Sequence, residues 1–446
     1  MNSPAPIPPP EPAPPPAPAS APVSPPPIPA PGRPFREFTH FAGFDWAKDH
    51  HDVIIIDQHG QVVADFRFGH DATGWQQWQK QIAPFGSGLA VCVETSQGVV
   101  VEHLLQSGAA IFPISPLSAK AYRQRKKPSG TKTDRVDAWC SADALRMDGH
   151  AWRQLAREEP LVAELRLLCR DEIALIEERT ALILQLQSAL HEYYPCALEA
   201  FDDWTSPHAW AFVEAFPTPQ ALATAGKRRW EKFLHSRKLA RPETFKRRME
   251  IFARALEWTA SDATTRAKSL LALARVRVLA TLEMQLARYR EEITALFATH
   301  PDQNLFSSLP GAGPKLAPRL LAEIGSDRAR FDAPQGLQCY AGTAPVSFQS
   351  GQIQKVNLRR HCNLVLRHTV HLWANLSRPT CPWAEVYYQQ KRLEKKSHAQ
   401  ALRCLGQRWL KILWKMRQTS KPYDPDFHAR NQLKHGSWVL TVNPAV

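Results

Sequence analysis

A chain of 446 residues, 44% of them hydrophobic, has room for two or three domains with real cores. Its formal charge of +14 points to a polyanionic partner. No apolar run reaches the roughly 18 residues of a membrane span, and the eight scattered cysteines contain no CxxC pair. A membrane protein, a zinc ribbon and a small disulfide framework are thereby set aside, and a reduced, cytoplasmic protein is expected.

Residues 1–36 are Pro, Ala and Ser with almost no charge. Proline fixes φ and removes a donor, so a disordered, polyproline-II-like tail is expected there. Phe41–Trp46, Asp52–Asp57 and Gln61–Phe68 then read as three strands joined by short turns, an antiparallel start. Thr73–Ile82 reads as a helix, and Leu89–Glu94 as a buried strand ending in a carboxylate. Gly98–Gln106 follows as a helix and Ala109–Ile114 as a strand. Leu117–Arg125 and Asp134–Met147 read as helices. The pattern is that of an α/β layer over 37–150, with helices on the faces of a sheet.

The stretch Lys132-Thr133-Asp134-Arg135-Val136-Asp137-Ala138 places two carboxylates three residues apart, on one helix face. A basic run precedes them: Lys120, Arg123, Arg125, Lys126, Lys127 and Lys132. Acids that hold a hard cation, beside cations that hold phosphate, suit metal-assisted phosphodiester chemistry. The alternative is a solvated helix start with Thr133 as N-cap. Asp45 on the first strand and Glu94 at the end of the fourth stand where adjacent central strands bring their ends together. Alone, each reads equally as a turn-side or helix N-terminal acid. Four converging carboxylates repel one another unless cations neutralise them, and Mg²⁺ takes such oxygen ligands.

From about 155 the period changes. Leu161, Leu168, Leu175, Leu182 and Ala189 repeat at seven residues, with Ile176, Ile183 and Leu190 beside them. Leu279, Leu282, Leu286, Tyr289, Ile293 and Leu296 alternate in steps of three and four. These are a/d seams of two long helices, pairing with each other or with another subunit. Residues 201–268 read as a smaller helical insertion. Leu309–Ala317, with Gly311, Gly313 and Lys315, resembles a helix-hairpin-helix whose backbone N–H groups face a DNA phosphate. Ser347 and Ser350-Gly351 follow, and then a basic stretch with Lys355, Arg359, Arg360 and Arg367. Between Gly351 and Lys421 fifteen Lys/Arg stand against two acids. A serine on such a Gly-flanked loop is either a nucleophile for a phosphodiester or plain loop polarity. Trp373, Trp383, Tyr387, Tyr388, Trp409 and Trp414 read first as core anchors and second as base stackers.

Together these stretches resemble the DEDD transposases of bacterial insertion sequences, the group related to the Piv DNA invertase, over most of residues 40–425. Asp45 in GFDWAKDHHDV matches the family's first acid, Glu94 in VCVETS the second, and Asp134 and Asp137 in TKTDRVDA the final pair. The carboxy-terminal match runs from LPGAGPKLAPRLLAEIG through YAGTAPVSFQSG to the basic helix. There Ser350 matches the family's serine before a glycine, with Ser347 the weaker candidate. Trp46 stands where the family usually has a small residue, and the Pro-rich start departs from its compact beginning.

The resemblance implies a RuvC-like (ribonuclease-H-like) domain over 37–150 and a helical coiled-coil domain over 151–300. A mostly α-helical transposase domain over 301–425 and a tail over 426–446 would follow. It implies DNA strand exchange with two Mg²⁺ ions held by Asp45, Glu94, Asp134 and Asp137, and a Ser350 nucleophile forming a covalent phosphoserine link. It also implies donor and target DNA, a structured guide RNA and a homo-oligomer (dimer or tetramer) as partners, in a bacterial cytoplasm. The competing readings are a RuvC-like Holliday-junction nuclease that hydrolyses DNA with water, and a non-catalytic nucleic-acid-binding regulator.

Overall fold

The structure, a computed structural model, describes residues 34–440. The expected Pro/Ala-rich tail lies outside the described residues up to position 33. Its last positions depart from the expectation. Phe35–Glu37 form a turn of 3₁₀ helix, and the Phe35 ring packs against Phe38, Phe41 and Phe112. An aromatic ring buries area that the preceding prolines do not offer. The chain divides into two units, Met1–Arg157 and Glu158–Val446.

The first unit is a mixed five-stranded sheet. β1 (His40–Trp46), β2 (His50–Asp57) and β3 (Val62–Gly69) are an antiparallel meander. β4 (Leu89–Val93) and β5 (Ala110–Pro113) add in parallel, giving the order β3-β2-β1-β4-β5. The helices are α1 (Ala72–Ile82), α2 (Val99–Gln106), α3 (Pro116–Lys126) and α4 (Asp134–Asp148). Side chains alternate across each strand, so the sheet presents two apolar faces. On one, Phe41, Ile54, Ile56 and Cys92 pack with Tyr122 of α3 and Ala138, Ala142 and Leu145 of α4. On the other, Phe44, Val53, Ile55 and Val91 pack with Trp75 and Trp78 of α1 and Leu104 of α2. This arrangement is consistent with the ribonuclease-H-like expectation.

Gly43 fixes how close α4 comes to the sheet. A Cβ at Gly43 would lie 1.8 Å from the Ala138 carbonyl oxygen. Only a residue without a side chain lets the helix backbone rest directly on β1.

The second unit is mostly helical. α5 (Pro160–Tyr193) is followed by α6 (Pro195–Ala200), α7 (Pro207–Ala215), α8 (Pro219–Ser236), α9 (Pro242–Ala253) and α10 (Asp262–Ala298). Glu172–Arg290, Arg179–Glu283 and Glu192–Lys268 pair across α5 and α10 with one number rising as the other falls. The two long helices are therefore antiparallel partners within one chain. On α10 the expected Leu279, Leu282, Leu286 and Ile293 are buried, and on α5 the expected Ile183, Ala189 and Leu190 are, but the rest of the α5 leucine stripe is not. Leu161, Leu168, Leu175 and Leu182 are half-buried, while Val162, Leu165, Cys169, Glu172, Ile183, Leu186 and Leu190 are buried. Two heptad stripes run one residue apart, and the buried one holds Cys169 and Glu172, which an apolar pattern does not count. The insertion expected over 201–268 is helical and has its own aromatic core, including Trp210, Phe212, Phe216 and Phe252 with Tyr193 and Tyr194.

Beyond α10 come α11 (Gln303–Ser307), α12 (Gly313–Ile324) and α13 (Pro334–Tyr340), then the hairpin β6 (Val346–Ser350) and β7 (Ile353–Asn357). α14 (Leu364–Ser377), α15 (Pro382–Leu393), α16 (His398–Thr419) and α17 (Pro425–Lys434) follow. The stretch expected as a tail over 426–446 thus carries a helix as far as Lys434, and its residues 441–446 lie outside the described residues. Trp373, Trp383, Trp409 and Trp414 are core anchors. The indole N–H groups of Trp373, Trp409 and Trp414 donate to Pro310 O, Ser377 Oγ and Phe331 O at 2.9, 2.8 and 2.8 Å. Among the described residues no helix is long and apolar enough to cross a membrane.

Candidate active site

The β1–β4 register pairs Phe44 with Val93. Asp45 and Glu94, the next residues, therefore stand side by side at the C-terminal ends of two parallel central strands. α4 covers the same face. The Thr133 hydroxyl caps it by accepting from the Val136 N–H at 3.2 Å, and Asp134 and Asp137 fill its first turn. The Thr133 cap starts the helix at the sheet edge, and that start presents Asp134 and Asp137 to the cleft. All four acids line one cleft of about 390 Å³, shared with Lys120, Arg123 and Lys132.

The crowding has an electrostatic signature. The Asp45 carboxyl is pushed up to about 7, by burial first and then by the negative charges of Asp137, Asp134, Glu94 and Asp52. Burial, followed by Asp137, also raises Glu94, against the opposing pull of Arg123 and Lys132. Arg123 donates to Asp137 Oδ1 at 2.5 Å and supplies part of the missing positive charge. The donors are carboxylate oxygens at the rim of a half-buried cleft, which is the chemistry a hard divalent ion selects, so the residues present fit Mg²⁺.

Two cleft residues escaped sequence reading. Asp52 and His50 lie across the β1–β2 turn, and one ligand atom each from His50, Asp52 and Asp134 falls within 4.8 Å of the others. Asp52 sits opposite Asp45 in the strand register. That register was the signal that could have found it, since opposed residues of antiparallel strands share a face.

The basic run is partly committed inside the unit. Lys126 pairs with the buried Asp143 at 2.7 Å, and Asp143 also accepts from Tyr122 Oη at 3.0 Å. Arg125 and Lys127 are exposed and lie over the Tyr122 and Trp139 rings at 5.7 Å each. Lys132 is exposed at the cleft.

In the second unit, Ser350 closes β6 and pairs with Ile353 of β7 across a turn at Gly351-Gln352. Gly351 has φ of +55°, the left-handed conformation such a two-residue turn requires. The expected loop is thus a hairpin, exposed along both strands, with Lys355 and Ser347 on it. Arg359 donates to Ala344 O at 3.3 Å and Arg367 to Arg359 O at 3.4 Å, so both brace the hairpin's base, whereas Arg360 is exposed. Gly311 is packed: a Cβ there would lie 2.5 Å from the backbone of Leu376 and Ser377. Gly313 and Lys315 are exposed at the start of α12.

Comparison with known proteins gives two family matches and several full-length relatives. A transposase family model of the IS110 DEDD type matches residues 42–195, and the transposase model of the IS116/IS110/IS902 family matches residues 303–389. The mini-circle transposase assigned to IS117 of Streptomyces coelicolor is 35% identical over 86% of this chain and 95% of its own length. The 42 kDa protein of insertion element IS900 of Mycobacterium paratuberculosis is 28% identical, over 86% of this chain and 97% of its own. The 43.6 kDa protein of IS110 of S. coelicolor is 26% identical, over 86% and 95%.

Proposed function

Because this chain belongs to the IS110-type family of DEDD transposases, we propose that it catalyses DNA strand exchange with a metal-carboxylate site and a serine nucleophile. The observation that carries the reading is the convergence of Asp45, Glu94, Asp134 and Asp137 on one cleft with Lys120, Arg123 and Lys132. Asp45, Glu94, Asp134 and Asp137 would hold two Mg²⁺ ions, which would supply Lewis-acid stabilisation of charge on phosphate oxygens. Lys120 and Lys132 draw the phosphate backbone into the cleft, and Arg123 keeps Asp137 oriented in the first turn of α4.

Ser350 Oγ gives up its proton and bonds to phosphorus as the P–O bond to the leaving strand breaks, and the leaving oxygen takes up a proton. Attack on that phosphoserine by the hydroxyl of another strand forms the new P–O bond as the bond to Ser350 Oγ breaks. The hydroxyl's proton is given up, Oγ takes one back, and the exchange is completed with the DNA resealed. The exposed hairpin tip suits a group that must reach a duplex, and Lys355 and Arg360 beside it suit the flanking phosphates. Donor and target DNA, a structured guide RNA that pairs with both, and further copies of the chain are the partners this reading carries over from the resemblance. The basic carboxy-terminal stretch is in keeping with them.

The test is strand exchange on element DNA with Mg²⁺: Asp134→Asn abolishes turnover and leaves DNA affinity unchanged, and full turnover by that variant removes the metal site. A hydrolytic Holliday-junction nuclease is the second reading, favoured by one fact: the four acids and the cations of the cleft are a donor set that metal-assisted hydrolysis by water would use as well.

A further inference from the structure

The cleft contains a fifth acid that is already ion-paired. Asp52 lies opposite Asp45 in the β1–β2 register, and Arg67 lies opposite Asp52 in the β2–β3 register. The three therefore form a row across three strands, on the face that α4 covers. Arg67 grips both oxygens of Asp52, from Nε at 3.0 Å and from Nη2 at 2.8 Å. The same Nη2 lies 3.6 Å from Oδ2 of Asp134. Next to it, Arg135 of α4 reaches back to Asp65 of β3. The first turn of α4 is thus tied to β3 by two ion pairs of opposite polarity. His50 Nε2 is 3.8 Å from Oδ2 of Asp52, the same oxygen that Arg67 Nη2 holds.

We infer that Arg67 is a positioning residue for the metal-ligating carboxylates: anchored on Asp52, its guanidinium holds the charge position that a further cation would otherwise take between Asp52 and Asp134. The inference rests on the metal-carboxylate reading above. Asp45 is already repelled by Asp137, Asp134, Glu94 and Asp52, and an Asp52 without Arg67 would stand in that cluster with no guanidinium paired to it. The bidentate grip keeps Asp52 out of the donor set. The single, longer contact to Asp134 lets a divalent ion displace Arg67 from that oxygen while Asp52 retains it. The Arg67 side chain is 56% exposed, so its replacement removes charge and geometry and no core packing.

The measurement is Mn²⁺ binding to the full chain without DNA, by electron paramagnetic resonance or calorimetry. Arg67→Ala removes a positive charge and frees Asp52 with His50, and tightens Mn²⁺ binding by about tenfold. Asp52→Asn releases Arg67 onto Asp134 and weakens binding by a similar factor. The double variant returns to within about threefold of wild type. Arg67→Lys keeps the charge without the fork and falls between wild type and Arg67→Ala. Arg135→Ala, which removes the same charge from the residue next to Asp134, shifts binding by less than about threefold. Equal shifts for Arg135→Ala and Arg67→Ala, single variants that move in the same direction, or no movement at all overturn the inference. Wild-type chain that binds no Mn²⁺ overturns the metal reading and this role with it; wild-type binding with unmoved variants overturns the Arg67 role alone.

Discussion

Gly43→Ala perturbs the one contact through which the sheet places the acids of α4. Its added Cβ would meet the Ala138 carbonyl oxygen at 1.8 Å and the Ala142 nitrogen at 2.7 Å, and both are backbone atoms of the helix that carries Asp134 and Asp137. No rotamer relieves a backbone clash. Real Cβ contacts essentially never fall below 3.0 Å, so α4 must move away from β1 by about 1.2 Å. Overpacking of this kind costs about 1–3 kcal/mol of stability. The catalytic cost is larger, because a misplacement of about 1 Å can cost on the order of 10²-fold in rate. The variant should fold, melt lower and lose strand exchange by about two orders of magnitude. Thermal melting and Mg²⁺-dependent strand exchange measure the two parts separately. Wild-type turnover by Gly43→Ala would show that α4 does not set the geometry of the acids, and would refute the reasoning.

Two further outcomes follow from the charges. Asp45 keeps its proton to about pH 7 in the metal-free fold, against 3.8 as its ordinary value. The folded state then binds the extra proton, so metal-free stability falls as pH rises from about 4 to 7 and levels off above. Asp45→Asn should remove most of that slope and raise the melting temperature at pH 8 in chelator; an unchanged slope contradicts the assignment. In the α5–α10 seam, Glu172 is 3% exposed and accepts from Arg319 at 2.8 Å and Arg290 at 3.3 Å. Glu172→Ala leaves Arg319 buried without its partner and should cost about 3–5 kcal/mol in denaturant unfolding, and a loss below about 1 kcal/mol would count against it.

The sheet was readable because β-branched runs and turn residues alternate at strand spacing. The strands read at Asp52–Asp57 and Leu89–Glu94 match β2 and β4 to within one or two residues at their ends. The four acids were readable as types, since Asp45 and Glu94 end strands and Asp134 and Asp137 share a helix face. Their convergence depends on β1 and β4 being parallel neighbours, a pairing between residues about fifty positions apart. Asp52, His50 and Arg67 were illegible for the same reason: their role is a row across three strands, and a single strand's pattern gives no register. Gly43 looked like one more small residue in a strand until α4 lay against it. The leucines expected at 161, 168, 175 and 182 of α5 lie one residue off the buried stripe, where Glu172 takes an apolar position and pairs with Arg290. The hairpin at Ser350 was missed because both its strands are exposed, so no face of it alternates.

Covalent trapping tests the account most directly. Wild-type protein is incubated with element DNA and Mg²⁺, quenched in denaturant, and the linked peptide is mapped by mass spectrometry. The account predicts a protein–DNA adduct through a phosphoester at Ser350, lost in Ser350→Ala together with strand exchange, and lost in Asp134→Asn although that variant keeps the serine. An adduct that survives Ser350→Ala, or full strand exchange with no adduct formed at any time, would contradict it.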